Sequence, residues 1–120
     1  MTRPPSDPKR APAALAAPLR AAWSTETGGK WRADNPACGQ CSVTALVVQD
    51  ACGGEILKTD VDGAWHFYNR VDGQRWDLTE SQFGGPIAYD DRSSDRDEAL
   101  ADTSPDKYAL LKARVLGDTA

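Results

Sequence analysis

Asn35-Pro36-Ala37-Cys38-Gly39-Gln40-Cys41 runs directly into Ser42-Val43-Thr44-Ala45-Leu46-Val47-Val48, and the fold turns on how this stretch is read. A turn containing Pro36 and Gly39 delivers Cys41 to the start of a strongly apolar segment. The spacing predicts a helix that begins at Gly39 or Gln40 and ends at Cys52. Cys41, Ala45, Val48 and Cys52 form one stripe, and Val43, Leu46 and Val47 add others. A helix that is apolar on every side is a buried one. Gly53-Gly54 supplies the stop expected after a helix C-terminus. The β-branched valines leave a strand as the alternative for residues 43–48, but the length and the glycine stop favour a helix.

Beyond Gly54 the period changes from helical to alternating. Residues 55–59 read as a strand and residues 60–63, Asp-Val-Asp-Gly, as a turn. Residues 64–71 form the next strand, Asp72-Gly73 is a two-residue hairpin signal, and residues 74–79 return. With that loop, Val71 pairs with Gln74, Asn69 with Trp76, Tyr68 with Asp77 and Phe67 with Leu78. His66 then sits diagonally from Asp77 on one face, within reach of a long side chain. A slip of one residue would turn Asp77 to the other face.

The flanks are helical. Pro12 fits the first turn of a helix over residues 12–23, which Pro18 kinks or restarts. Leu19 and Trp23 share a face. Residues 24–34, with Gly28-Gly29 and Trp31, form a loop. Residues 87–89 are expected as a short edge strand, and the charged run 90–98 as a solvated loop or helix start. Ser104 with Pro105 opens a closing amphipathic helix over residues 105–116, ended by Gly117.

One domain is expected, since 120 residues suffice for a single core without staples. Residues 1–11, with Pro4, Pro5 and Pro8, read as a disordered arm before a domain spanning residues 12–120. Lys9-Arg10 and the alanine-rich run after it fall short of a signal peptide, because Pro12 and Pro18 break the apolar part. A net charge of −4 and the lack of a basic groove argue against nucleic-acid binding. No apolar run is long enough for a membrane span. Three cysteines, an odd count, fit reduced thiols in a cytoplasm better than a secreted disulfide framework.

The chemistry centres on three residues. Backbone N–H groups at a helix start favour negative charge, and a cysteine there is placed to react as thiolate. Its proton needs a base, and the base needs an acceptor on its other nitrogen. Cys41, His66 and Asp77 supply nucleophile, base and orienting group. The backbone N–H of Cys41, with Gln40 or Asn35 as a side-chain donor, is the expected oxyanion site, and Trp31 either packs over the core edge or walls the cleft beside Cys41. The plainer alternative is that Cys41 is a small apolar core residue and His66 structural. Cys38-Gly39-Gln40-Cys41 also has the C-x-x-C spacing of a redox pair or half a zinc site. No second such pair exists, and Cys52 would lie roughly 16 Å from Cys41 along the helix. No metal or other cofactor is therefore expected. Asp60, Asp62 and Gly63 lack the rest of a calcium loop and read as a turn.

Asn35-Pro36-Ala37, Gly39-Gln40-Cys41, residues 43–50, Gly53-Gly54-Glu55-Ile56-Leu57, His66-Phe67-Tyr68-Asn69-Arg70 and Asp77-Leu78-Thr79 with Gln82-Phe83 resemble the YunG-like family of small bacterial proteins. The likeness runs from about Trp23 to Phe83, and residues 108–115 are similar too. It implies that position 38 need not be cysteine. The order of a cysteine at a helix start, a histidine on a strand and an aspartate on the next strand resembles, more distantly, the papain-like superfamily of peptidases, transglutaminases and acyltransferases. That likeness implies the same three roles for Cys41, His66 and Asp77. The combined expectation is an α+β, papain-like domain: a central buried helix on a small antiparallel sheet, with helices at both ends. Its expected activity is cysteine-dependent hydrolysis or acyl transfer on an amide, isopeptide or thioester bond of a peptide-like or acyl substrate. The alternative is a non-catalytic binding or accessory module of the same shape.

Overall fold

Helix α2 (Cys41–Cys52) is the centre of the protein, and every other layer is laid against it. Residues 10–117 are described in the computed structural model. A 3-10 turn over Pro12–Leu15 leads into α1 (Ala16–Ala22), and β1 (Glu55–Val61), β2 (Ala64–Val71) and β3 (Gln74–Trp76) follow α2. A second 3-10 turn (Glu80–Gln82), β4 (Arg92–Ser93), α3 (Arg96–Ala101) and α4 (Pro105–Leu116) complete the order. The fold is α+β, with four antiparallel strands in the order β3-β2-β1-β4 among the described residues.

Ser42 through Val48 are all buried, as a helix without a polar face requires. Polar groups inside it are satisfied locally. The Trp23 indole donates to Thr44 Oγ1 at 2.9 Å, and the Asn69 amide donates to the Ala45 carbonyl at 3.0 Å. Gly53 ends the helix with φ of 77° and donates its N–H to Gln49 O. Apolar side chains pack on both sides of α2. Leu15, Leu19, Trp23, Val43, Val47 and Leu111 belong to one cluster, while Ala45, Leu46, Ile56, Phe67 and Ala99 form the other.

Pro18 is the third residue of α1, where its missing N–H has no intrahelical acceptor to lose. The tighter Pro12–Leu15 turn precedes it, so the expected single helix is split. Most of the arm expected over residues 1–11 lies outside the described residues. Arg10, near its end, donates its backbone N–H to Ala51 O at 3.0 Å.

Two hairpins build the sheet. Val71 pairs with Gln74 and Asn69 with Trp76, as the Asp72-Gly73 loop predicts. A second two-residue loop, Asp62-Gly63, joins β1 to β2, with Val61 opposite Ala64. Both loops carry positive φ at Asp and Gly, the primed-turn geometry that suits the twist of hairpin strands. Asp60 and Val61 therefore continue β1 rather than forming the turn expected over residues 60–63. The returning strand is shorter than expected. It ends at Trp76, because Asp77 Oδ1 accepts the backbone N–H of Thr79 at 3.1 Å and bends the chain out of the ladder. The expected pairs Tyr68–Asp77 and Phe67–Leu78 do not form.

Strand β2 is buried on both faces. Phe67 packs toward α2 and α3, while His66 and Tyr68 are covered by the segment 83–91. That segment is pinned to the sheet. Thr59 Oγ1 donates to Ala88 O and accepts from Asp90 N, and Asp91 N donates to the Tyr68 hydroxyl. The expected strand over residues 87–89 is absent; Arg92 and Ser93 pair with Lys58 and Leu57 instead. The charged run opens α3, whose Asp95 cap accepts from Glu98 N at 2.8 Å. Ser104 caps α4 as expected, accepting from Lys107 N at 3.2 Å.

Candidate functional site

Cys41 is the first residue of α2 and is half-buried. Its N-cap, Gln40, makes no side-chain capping bond, so the first N–H groups of the helix are left to other acceptors. The cysteine borders an open cleft of about 580 Å³, whose walls include Ser42, Trp65, His66 and Phe83. Trp65 is 41% exposed, a large apolar surface lining the same cleft.

His66 comes into the cleft from β2 and is only 3% exposed. Its Nε2 lies 2.7 Å from Asp77 Oδ2, which leaves Nδ1 as the nitrogen available to Cys41. The Phe83 ring meets the imidazole edge-on at 4.8 Å, and Tyr68 stacks at 5.9 Å. Burial disfavours the charged imidazole, but hydrogen bonding and charge from Asp77 and Cys41 outweigh it. The His66 pKa is pushed up from 6.5 to about 9. The ring thus carries its proton at neutral pH, held between a carboxylate and a sulfur.

Asp77 stands just past the end of β3 rather than on it. Its carboxylate is almost wholly buried and receives four donors. Oδ1 accepts the N–H and hydroxyl of Thr79 at 3.1 and 3.2 Å. Oδ2 accepts His66 and the Tyr89 hydroxyl, the latter at 2.8 Å. A buried carboxylate with every lone-pair direction occupied is fixed in orientation.

The three residues expected to carry the chemistry therefore meet around the His66 ring, although Asp77 reaches it from a turn. The expected oxyanion residues are placed differently. The Gln40 side chain is wholly buried and turned toward residues 24–28: Oε1 accepts the Thr27 hydroxyl at 2.7 Å, and Nε2 donates to Ser24 O and Gly28 O. Asn35 donates to Gln82 O at 3.0 Å, tying the loop before α2 to the loop after β3. Trp31 packs on the first apolar cluster, and its buried indole N–H meets no acceptor among the described residues. Gly29 and Lys30, not Trp31, form that wall of the cleft. What remains as an oxyanion donor is the backbone at the start of α2.

Cys38 borders the same cleft, whereas Cys52 is buried at the far end of α2. All three thiols are unpaired. Among the described residues no three His, Cys, Asp or Glu side chains gather as metal ligands would, and no helix is long and apolar enough to cross a membrane. Thr79 was legible in principle, since Asp-x-Thr is a recurrent turn in which the carboxylate takes the later N–H. Tyr89 carried no local signal at all.

The family described as YunG protein matches residues 11–120. The chain belongs to the YunG family. It is 48% identical over 94 residues to "Uncharacterized protein YunG" of Bacillus subtilis (strain 168), covering 78% of this chain and 82% of that relative. No solved structure matches it. The YunG match takes in every residue that lines the cleft, from Gly29 to Lys107, together with Asp77 and Tyr89.

Proposed function

We propose that this YunG-family chain is a cysteine-dependent hydrolase or acyl-transfer enzyme acting on an amide, isopeptide or thioester bond. One observation carries the reading: a buried imidazole is clamped by Asp77 on Nε2, with its other side toward a cysteine at a helix start in an open cleft. This is the papain-like order of groups, and the likeness enters as analogy.

In the proposed cycle the proton of Cys41 already rests on His66, and the sulfur attacks the substrate carbonyl carbon as thiolate. The developing oxyanion is met by the backbone N–H groups at the α2 start. His66 returns the proton to the departing amine or thiol, leaving an acyl group on sulfur. Water, or an acceptor amine, then loses a proton to His66 and attacks the acyl carbon; the sulfur leaves, and that proton stays on the ring, as at the start. Asp77 keeps the ring in one tautomer and offsets its charge throughout. Three unpaired thiols suit a reducing compartment, and a cytoplasmic setting is part of the proposal.

The test is alkylation by iodoacetamide, followed by mass spectrometry at each cysteine. Cys41 is expected to react first at about pH 6–7, ahead of Cys38 and Cys52. His66→Ala is expected to slow it by about tenfold or more, the usual scale of a lost acid–base partner. Equal rates at Cys38 and Cys41, unchanged by His66→Ala, would favour the non-catalytic binding module instead. The exposed Trp65 in the cleft is the feature such a module would use.

A further inference from the structure

The segment 83–91 does more than cover the sheet. It places the Tyr89 hydroxyl 2.8 Å from Asp77 Oδ2, the same oxygen that holds His66 Nε2. We propose that Tyr89 is a positioning residue that sets, through Asp77, how tightly His66 holds its proton. The inference rests on the reading of Cys41, His66 and Asp77 given above.

His66 and Tyr89 share one acceptor oxygen. A second donor on Oδ2 draws charge from that oxygen and weakens its pull on the imidazolium. Asp77 Oδ1 cannot relieve the competition, because both Thr79 donors occupy it. Among the described residues no other donor reaches Oδ2. Burial and the adjacent Asp77 carboxylate keep the Tyr89 proton on its own oxygen, well above the ordinary tyrosine range. Tyr89 is therefore a permanent donor, not a group that exchanges its proton during turnover.

The ring is held apart from this bond. It meets Tyr68 edge-on at 4.9 Å, and the Arg75 guanidinium sits 4.5 Å from its centroid. Arg75 is itself clamped by Asp91 at 2.8 and 2.6 Å, and Asp91 accepts the Tyr68 hydroxyl. The charged and titratable groups around the pair are thus Cys41 and Asp77 on His66 itself, Tyr68 stacked on the ring, and Arg75, Asp91 and Glu80 around Tyr89. Asp62, Asp102, Lys30 and Lys107 border the cleft on its open side. Of these, only Tyr89 reaches the carboxylate oxygen that His66 uses.

For acyl transfer the consequence is a proton that can leave. An imidazolium held too tightly would still stabilise the attacking sulfur but would be slow to give its proton to the leaving group. Removing the Tyr89 hydroxyl should shift the balance that way.

The chain has a single histidine, so its imidazole signals in a proton–nitrogen or proton–carbon spectrum can be followed alone against pH. Tyr89→Phe keeps the ring and deletes only the donor. The His66 midpoint is expected to rise by about half a unit or more, since one hydrogen bond of this type is lost. A midpoint that stays or falls overturns the proposal. If Tyr89→Phe does not fold, uniform 3-fluorotyrosine labelling of the wild type makes the phenol a stronger donor and should lower the midpoint; an unmoved value overturns the proposal equally. These outcomes are separate from alkylation: ordinary Cys41 reactivity, indifferent to His66→Ala, removes the enzyme reading, whereas the titration judges Tyr89 alone.

Discussion

At the scale of single residues the molecule is organised by one imidazole. His66 is buried, yet two partners make its charged form the stable one, with the pKa raised to about 9 against an ordinary 6.5. A group whose folded value lies above its unfolded value stabilises the fold fully below the unfolded pKa. That contribution is lost as pH rises through the folded value. Stability is therefore expected to decline between about pH 6.5 and pH 9, by on the order of 3 kcal/mol at most for this residue. Urea unfolding across that range checks it, and His66→Gln should flatten the decline. Equal slopes in the two proteins would show that the proton is held no better folded than unfolded. Much of this residue pattern was legible beforehand. A cysteine after a Pro/Gly turn and a histidine on an alternating strand are local signals, whereas Asp77, expected on the returning strand, sits past its end. Gln40 was misleading because its partners, Thr27, Ser24 and Gly28, lie well back in the chain. No periodicity reports such a contact, and the same holds for Tyr89.

At the scale of elements the decisive features are where helices and strands stop. Gly54 follows α2 with φ of 81°, and a Cβ there would lie 2.2 Å from the Arg70 carbonyl oxygen across the β1–β2 ladder. Gly73, in the second hairpin, has a similar φ of 79° but open space around it. The two positions separate a steric clash from backbone strain. Gly73→Ala is expected to cost about 1 kcal/mol, the strain alone. Gly54→Ala should cost at least about 2 kcal/mol more, because backbone, not a flexible side chain, must move. Urea midpoints compare them directly, and equal costs would contradict the crowding. The glycine pair after Cys52 and the Asp72-Gly73 turn were plain in the sequence because turns of this kind demand positive φ. β4 was not, because two residues pairing with β1 across a long loop leave no periodic trace. The shortened β3 has a comparable cause. Its end is set by the side chain of Asp77 capturing Thr79, a local event that strand alternation does not register.

At the scale of the whole molecule α2 joins two apolar clusters that would otherwise be separate. It gives Val43, Val47 and Val48 to one and Ala45 and Leu46 to the other, while Tyr108 of α4 touches both. A helix cannot free one side and keep the other packed, so the two clusters should unfold together. Leu111 sits wholly buried in the first cluster and Ile56 in the second. Leu111→Ala and Ile56→Ala are each expected to cost about 2–5 kcal/mol, the usual range for an emptied aliphatic site. Each should lower the midpoint of the same single transition, seen alike by far-ultraviolet circular dichroism and tryptophan fluorescence. Having no shared cluster, the two losses should add to within about 0.5 kcal/mol in a double variant that still folds. A second, earlier transition in Leu111→Ala would mean that α1 and α4 peel away while α2 stays on the sheet. The start of α2 would then no longer need the first cluster to hold Cys41 beside His66, and cysteine reactivity should survive that first transition. With one transition, reactivity and fold must be lost at the same denaturant concentration, because the helix that carries the sulfur is the one both clusters share.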